Sequence, residues 1–85
     1  MIYKRGKEMK IIVYSTSTCP YCDKAKEFLK KSKVKFKEID VNENRQAAME
    51  MIQKSGQTGV PVIDIDGVIV KGFDENKLKK LLNLR

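Results

Sequence analysis

Two cysteines, Cys19 and Cys22, stand two residues apart in STSTCPYCDKA, and the chain has no other thiol and no histidine. A pair so spaced supports three kinds of chemistry: a covalent staple, half of a metal site, or a dithiol that cycles between reduced and oxidised forms. As a staple it closes a loop of only four residues, about 2 kcal/mol on the chain-entropy relation, and a reducing compartment would keep it open. As a zinc site it brings two of roughly four ligands, with no further Cys or His to complete the set. A metal ion or iron–sulfur cluster would therefore need a second chain or an added small thiol. Without an imidazole base, the redox option requires that local structure itself activate one of the sulfurs.

The flanking residues supply such a structure. KIIVYS (residues 10–15) is an apolar, β-branched run that suits a strand buried on both faces. From Pro20 the period changes: Cys22, Ala25 and Leu29, with Phe28 beside them, fall at helical spacing, and Asp23, Lys24, Lys26, Glu27, Lys30 and Lys31 take the other side, to about Ser32. Cys19 then serves as the helix N-cap, and Pro20 takes the first helical position, where its fixed φ fits and its missing N–H costs nothing. The free N–H groups of Tyr21 and Cys22 should point back at the Cys19 sulfur, and the helix dipole adds positive potential there. Both effects favour thiolate over thiol. Cys22 lies one turn on, within disulfide reach. The expected reaction is thiol–disulfide exchange: Cys19 attacks a substrate disulfide, and Cys22 resolves the mixed disulfide by closing the Cys19–Cys22 bond.

The remaining elements follow the same logic. VKFKEIDV alternates Val34, Phe36 and Glu38 against Lys35, Lys37 and Ile39, as in a strand near a sheet edge. A helix is expected from about Asn44 to Lys54, with Ala48, Met51 and Ile52 on its apolar side and Ser55-Gly56 closing it. Val60-Pro61 opens a third strand, and Asp66-Gly67 joins it to a fourth by a tight hairpin. Asp74 caps a last helix, with Phe73 and Leu78 at the two positions of a hydrophobic staple and Leu78, Leu81 and Leu82 on the core side. The order is β-α-β-α-β-β-α. With strands joined through helices taken as parallel and the closing hairpin antiparallel, this predicts an α/β fold with a four-stranded mixed sheet and three helices.

Eighty-five residues make one domain, with residues 1–8 as a polar, basic extension and 9–85 as the folded unit. The longest aliphatic run, Ile11-Ile12-Val13, is too short to cross a bilayer, and MIYKRGKE has no apolar stretch of the kind that directs secretion. A cytosolic location is expected. The net charge of +7 raises nucleic acid as a partner, but aromatic residues are only 7% and no stacking platform appears. The lysines read as a solvated face.

YSTSTCPYCDKAKEFL, GQTGVPVIDIDG and KGFDENKL resemble glutaredoxins and the glutaredoxin-like redoxins that serve ribonucleotide reductase, across nearly all of residues 9–85. The dithiol motif C-P-Y-C is matched residue for residue. The resemblance implies a thioredoxin-like fold and a cis Pro61 packed beside the cysteines. It also implies a Val60 backbone that pairs with substrate like an added strand. It further implies that Tyr21 packs over the site, and that Gln57, Gly72, Phe73 and Asp74 line a substrate or glutathione groove. Thr16 stands where a glutathione-binding lysine is usual, and Gly59 replaces the Thr of T-V-P, with Thr58 beside it. Asp74-Glu75 stands for a usual Asp-Asp, and Asp74 would both cap the helix and meet the ligand's amino group. Loss of a well-formed lysine contact removes about 1.5–3 kcal/mol, so glutathione becomes a co-substrate in competition with thioredoxin reductase as the electron source, and Lys71, Lys24 or Lys26 would have to replace the missing charge. The expectation is a monomeric dithiol oxidoreductase acting on disulfide-containing proteins, with no metal and no tightly bound cofactor. A two-chain iron–sulfur carrier is the alternative.

Overall fold

Alternation along the first apolar run decides the layering. In β1 (Ile11–Ser15) the side chains of Ile11 and Val13 turn to one face of a sheet and those of Ile12 and Tyr14 to the other. The first face is covered by α1 (Pro20–Lys31) and α3 (Glu75–Leu82): Ala25, Leu29, Leu78 and Leu82 pack there with Ile63, Ile65 and Val70. The second face is covered by α2 (Arg45–Ser55), whose Ala47 and Met51 pack on Tyr14 and Val62. Both faces of the central strands are thereby dry, as their unbroken apolar sequence requires. This computed structural model describes residues 10–82. The extension expected at residues 1–8, the domain start at Met9 and residues 83–85 lie outside them.

The strands β2 (Lys37–Asp40), β3 (Val62–Ile65) and β4 (Val68–Lys71) complete a four-stranded mixed sheet of order β2-β1-β3-β4. β1 pairs with β2 in parallel and with β3 antiparallel, so β2 and β3 run in opposite directions. This corrects the expectation that strands linked through α2 would be parallel. The registers Ser15↔Asp40 and Tyr14↔Val62 put the end of β2 and the start of β3 on either side of the C-terminal end of β1. α2, which touches both β1 and β4, lies across the strands and leaves the chain where it began.

Two further differences have local causes. β2 pairs over Lys37–Asp40 only, because β1 offers partners from Ile12 to Ser15; Val34 and Phe36 still pack beneath α1 and α3. The buried stripe of α2 is Ala47, Met51 and Ser55, whereas Ala48 is half-buried and Ile52 is exposed. Ala47 and Ser55 are small residues on either side of Met51, and the Ser55 hydroxyl is satisfied by the Met51 carbonyl at 2.7 Å.

The helix and turn signals operate as physical devices. Asn44 accepts the Ala47 N–H at 3.0 Å and Asp74 accepts the Lys77 N–H at 3.1 Å, each capping its helix. Asp66 and Gly67, at φ 53° and 96°, form a two-residue hairpin turn with both centres left-handed, the geometry that a right-twisted strand pair prefers.

Candidate active site

Cys19 occupies the junction between β1 and α1 in an extended conformation (φ −114°, ψ 106°), which makes it the N-cap of α1. Its sulfur accepts the Cys22 N–H at 3.1 Å, and its carbonyl accepts the Asp23 N–H at 3.2 Å. The sequence suggests both Tyr21 and Cys22 as donors to the sulfur; Cys22 is the donor seen. Cys19 is half-buried and Cys22 wholly buried, and both are free thiols. Burial, the hydrogen bond to Cys19 and the charge of Cys19 together push the Cys22 thiol up to about 12, against a smaller opposing effect from the Thr16 backbone and the Lys26 ammonium. One sulfur is thus presented to solvent at a helix start, and the other is held as a thiol behind it. This division suits a nucleophile followed by a resolving group.

The far wall of the site comes from the start of β3. The Val60-Pro61 bond is cis, Pro61 is buried, and the Val60 carbonyl oxygen lies 3.9 Å from the Cys19 sulfur. Gly72 donates its N–H to the Pro61 carbonyl at 2.8 Å while holding φ 74°, a left-handed conformation that favours glycine. This bond ties the end of β4 to the proline. Phe73 then turns inward, its ring 5.9 Å from that of Phe28 in an edge-to-face contact, and packs against the core cluster to which Leu78 belongs.

The structure gathers Cys19, Cys22, the Thr16 backbone, Val60 and Pro61 directly, with Gly72 one hydrogen bond away. Other expected residues also make local contacts. Tyr21 is 61% exposed at the rim, with the Lys24 ammonium 5.3 Å from its ring. The side chain of Gln57 donates to the Gly59 carbonyl at 3.2 Å and so braces the loop before Val60. Asp74 caps α3. Lys26 is bound to Glu38 and Asp23, which leaves Lys24 and Lys71 as exposed cations among the three residues considered for a replacement charge. A concavity of about 320 Å³ begins at this rim and runs between α1 and α3 over Lys24, Phe28, Lys31 and Phe73, without including Cys19. Among the described residues no three Cys, His, Asp or Glu side chains gather to hold a metal.

Two polar networks escape a reading of the sequence alone. Beside the cysteines, Ser15 donates to Glu38 at 3.0 Å and Lys26 meets the same carboxylate oxygen at 2.7 Å. On the α2 face, Lys54 donates to the Tyr14 hydroxyl and to Asp64, both at 2.8 Å, and Asp64 also accepts the Gly67 N–H at 2.8 Å. The available signal is a carboxylate inside the otherwise apolar VIDI. Its ion-pair partner Lys54 lies 10 residues away, and Tyr14, the other acceptor of Lys54, lies 40 residues from that lysine; neither carries a sequence mark.

The glutaredoxin family model matches residues 11–70. An uncharacterised glutaredoxin-like 8.6 kDa protein of the rubredoxin operon of Clostridium pasteurianum is 44% identical over 72 residues, covering 85% of this chain and 96% of that protein. Glutaredoxin 3 of Escherichia coli K12 is 41% identical over 63 residues, 74% of this chain and 76% of its own. The crystal structure of a glutaredoxin from Archaeoglobus fulgidus superposes with a TM-score of 0.80 at 32% identity, covering 88% of this chain and 87% of the other. With the dithiol at the strand-to-helix junction, the cis proline opposite it and the mixed sheet beneath, these similarities mean that the chain belongs to the glutaredoxin family of thioredoxin-fold thiol–disulfide oxidoreductases.

Proposed function

We propose that this protein reduces disulfides in proteins, or mixed disulfides with glutathione, using Cys19 as nucleophile and Cys22 as resolving thiol. The observation that carries this reading is the Cys19 sulfur at the N-cap of α1, accepting the Cys22 N–H with the wholly buried Cys22 thiol one turn behind. Attack by the Cys19 thiolate forms a mixed disulfide and releases one substrate thiol. Cys22 then closes on Cys19, the second substrate thiol leaves, and the substrate has gained two electrons. The open setting of Cys19, at a rim rather than inside a cavity, suits a polypeptide laid along Val60-Pro61 and Gly72-Phe73 as an added strand. A monomer in the cytosol, with no tightly bound cofactor, is sufficient for this chemistry.

The electron source divides into two readings. Glutathione as co-substrate would draw on Gln57, Val60 and Asp74. Recharging by thioredoxin reductase is favoured by two features: Thr16 provides no cation, and Lys26 is engaged by Glu38. The Cys22→Ser variant should accumulate a mixed disulfide with a reporter substrate, visible by intact mass, and Cys19→Ser should not. If neither variant nor the intact protein exchanges with the reporter, the assignment of roles is wrong. NADPH consumption with glutathione plus glutathione reductase, compared with thioredoxin reductase alone, identifies the donor.

A further inference from the structure

The chemistry described so far leaves one charged group beside the cysteines unused. Lys26, half-buried where most polar residues of α1 are exposed, stands four residues after Cys22, the spacing at which helical side chains are neighbours. Its surroundings hold it in place. The ammonium is 2.7 Å from Glu38 Oε2 and 3.5 Å from Asp23 Oδ1, and the same Glu38 oxygen accepts the hydroxyl of wholly buried Ser15 at 3.0 Å. Lys24, Lys30 and Lys31 on the same helix are exposed. A cation anchored to a neighbouring strand, which is in turn anchored to the strand leading into Cys19, is a device for keeping charge at a fixed position.

That position matters because ring closure must place negative charge on the sulfur of a wholly buried residue. We propose that Lys26, fixed by Glu38 and Ser15, is the positioning residue of the resolving step: its charge stabilises the Cys22 sulfur as an anion while it attacks the mixed disulfide. This deepens the function proposed above and rests on its assignment of Cys19 and Cys22. In the step, Cys22 Sγ–H releases its proton to water and its electron pair forms the Cys22–Cys19 bond. The Cys19–substrate S–S bond breaks, and the departing substrate thiolate takes up one proton. The dithiol loses two electrons and the substrate gains them. Lys26 does not accept the proton. Its ion pair with Glu38 raises its own pKa and holds the Glu38 carboxyl below its ordinary value, so both remain charged through the neutral range.

Stopped-flow reduction of a fluorogenic peptide disulfide by the full chain separates attack by Cys19 from closure by Cys22. In Lys26→Met, closure should slow about tenfold, the equivalent of one pKa unit on the attacking sulfur, with the attack phase unchanged. Lys26→Arg should restore closure, because it keeps the charge. Glu38→Gln, which leaves the ammonium but weakens its anchor, should give an intermediate rate and provides an independent reading if Lys26→Met does not fold. Closure at the parent rate in Lys26→Met or in Glu38→Gln, or Lys26→Arg as slow as Lys26→Met, overturns the proposal. The Cys22→Ser trap separates the two levels. If no mixed disulfide accumulates, the cysteine roles fail; if it accumulates while Lys26→Met closes normally, only the role of Lys26 fails.

Discussion

The two faces of the sheet carry networks of the same composition set to different uses. On each, a helical lysine meets a strand carboxylate, and a hydroxyl from β1 joins them: Lys26, Glu38 and Ser15 on one side, Lys54, Asp64 and Tyr14 on the other. The first joins the cysteine-bearing helix to edge strand β2, and its Glu38 side chain is 42% exposed. The second lies under α2 on a central strand, with the Asp64 side chain only 11% exposed. A carboxylate beside water can lose its partner cheaply, whereas one inside the sheet cannot. Burial, rather than residue type, separates an electrostatic device from a structural one.

The largest effect expected from breaking this comparison is at Asp64. Asp64→Ala takes the counter-charge from the Lys54 ammonium and the acceptor from the Gly67 N–H and should cost about 2–4 kcal/mol, measured by urea unfolding. Both redox phases should keep their parent rates; slowed closure in this variant would erase the distinction. Glu38→Ala reverses the pattern. Its partly exposed ion pair is worth at most about 1 kcal/mol and the buried Ser15 hydroxyl loses its acceptor, so stability should fall less than in Asp64→Ala while closure of the disulfide slows in the same stopped-flow assay.

The networks should also weaken at opposite ends of the pH scale. Glu38 has its folded carboxyl held below the ordinary 4.5, first by Lys26, so its contribution is present above that value and is lost as pH falls through the folded value. Lys54 has its folded pKa raised above 10.5, first by Asp64, so its contribution is present below 10.5 and is lost as pH rises through the folded value. Denaturant titrations across pH should show Glu38→Gln flattening the acid limb and Lys54→Met flattening the alkaline one. The smallest effect concerns the helices that carry the two lysines. α2 ends on Gly56 at φ 75°, whereas α1 closes with Lys33 at φ 60°, in a motif where the Val34 N–H reaches the Leu29 carbonyl at 3.3 Å. Lys33→Gly should stabilise the protein by about 0.5–1 kcal/mol in thermal unfolding.

Much of this was legible because local rules govern it. Cys19 and Pro20 announce a helix start, Asp66-Gly67 a hairpin, and Asp74 with Phe73 and Leu78 a capped helix, each within a few residues. The direction of β3 was not legible, since the crossover rule applies to parallel strands and says nothing of a helix that lies across the sheet. The buried stripe of α2 was misplaced by one residue for a related reason. Ala47 and Ala48 are equivalent in composition, and only contact with Tyr14 and Val62 distinguishes them. Tyr21, at the second position of a helix begun by Pro20, projects to solvent.

The chemistry of the protein was written into a short segment: two thiols one turn apart at a helix start need only local geometry to become a nucleophile and its resolving partner. Tertiary structure decided what surrounds them. Strand order brought Val60-Pro61 against Cys19, full burial set Cys22 apart from its neighbour, and the register of β2 on β1 placed Glu38 where it could hold Lys26. Those outcomes depend on contacts between residues 12 to 41 positions apart, and sequence pattern alone carries no term for them.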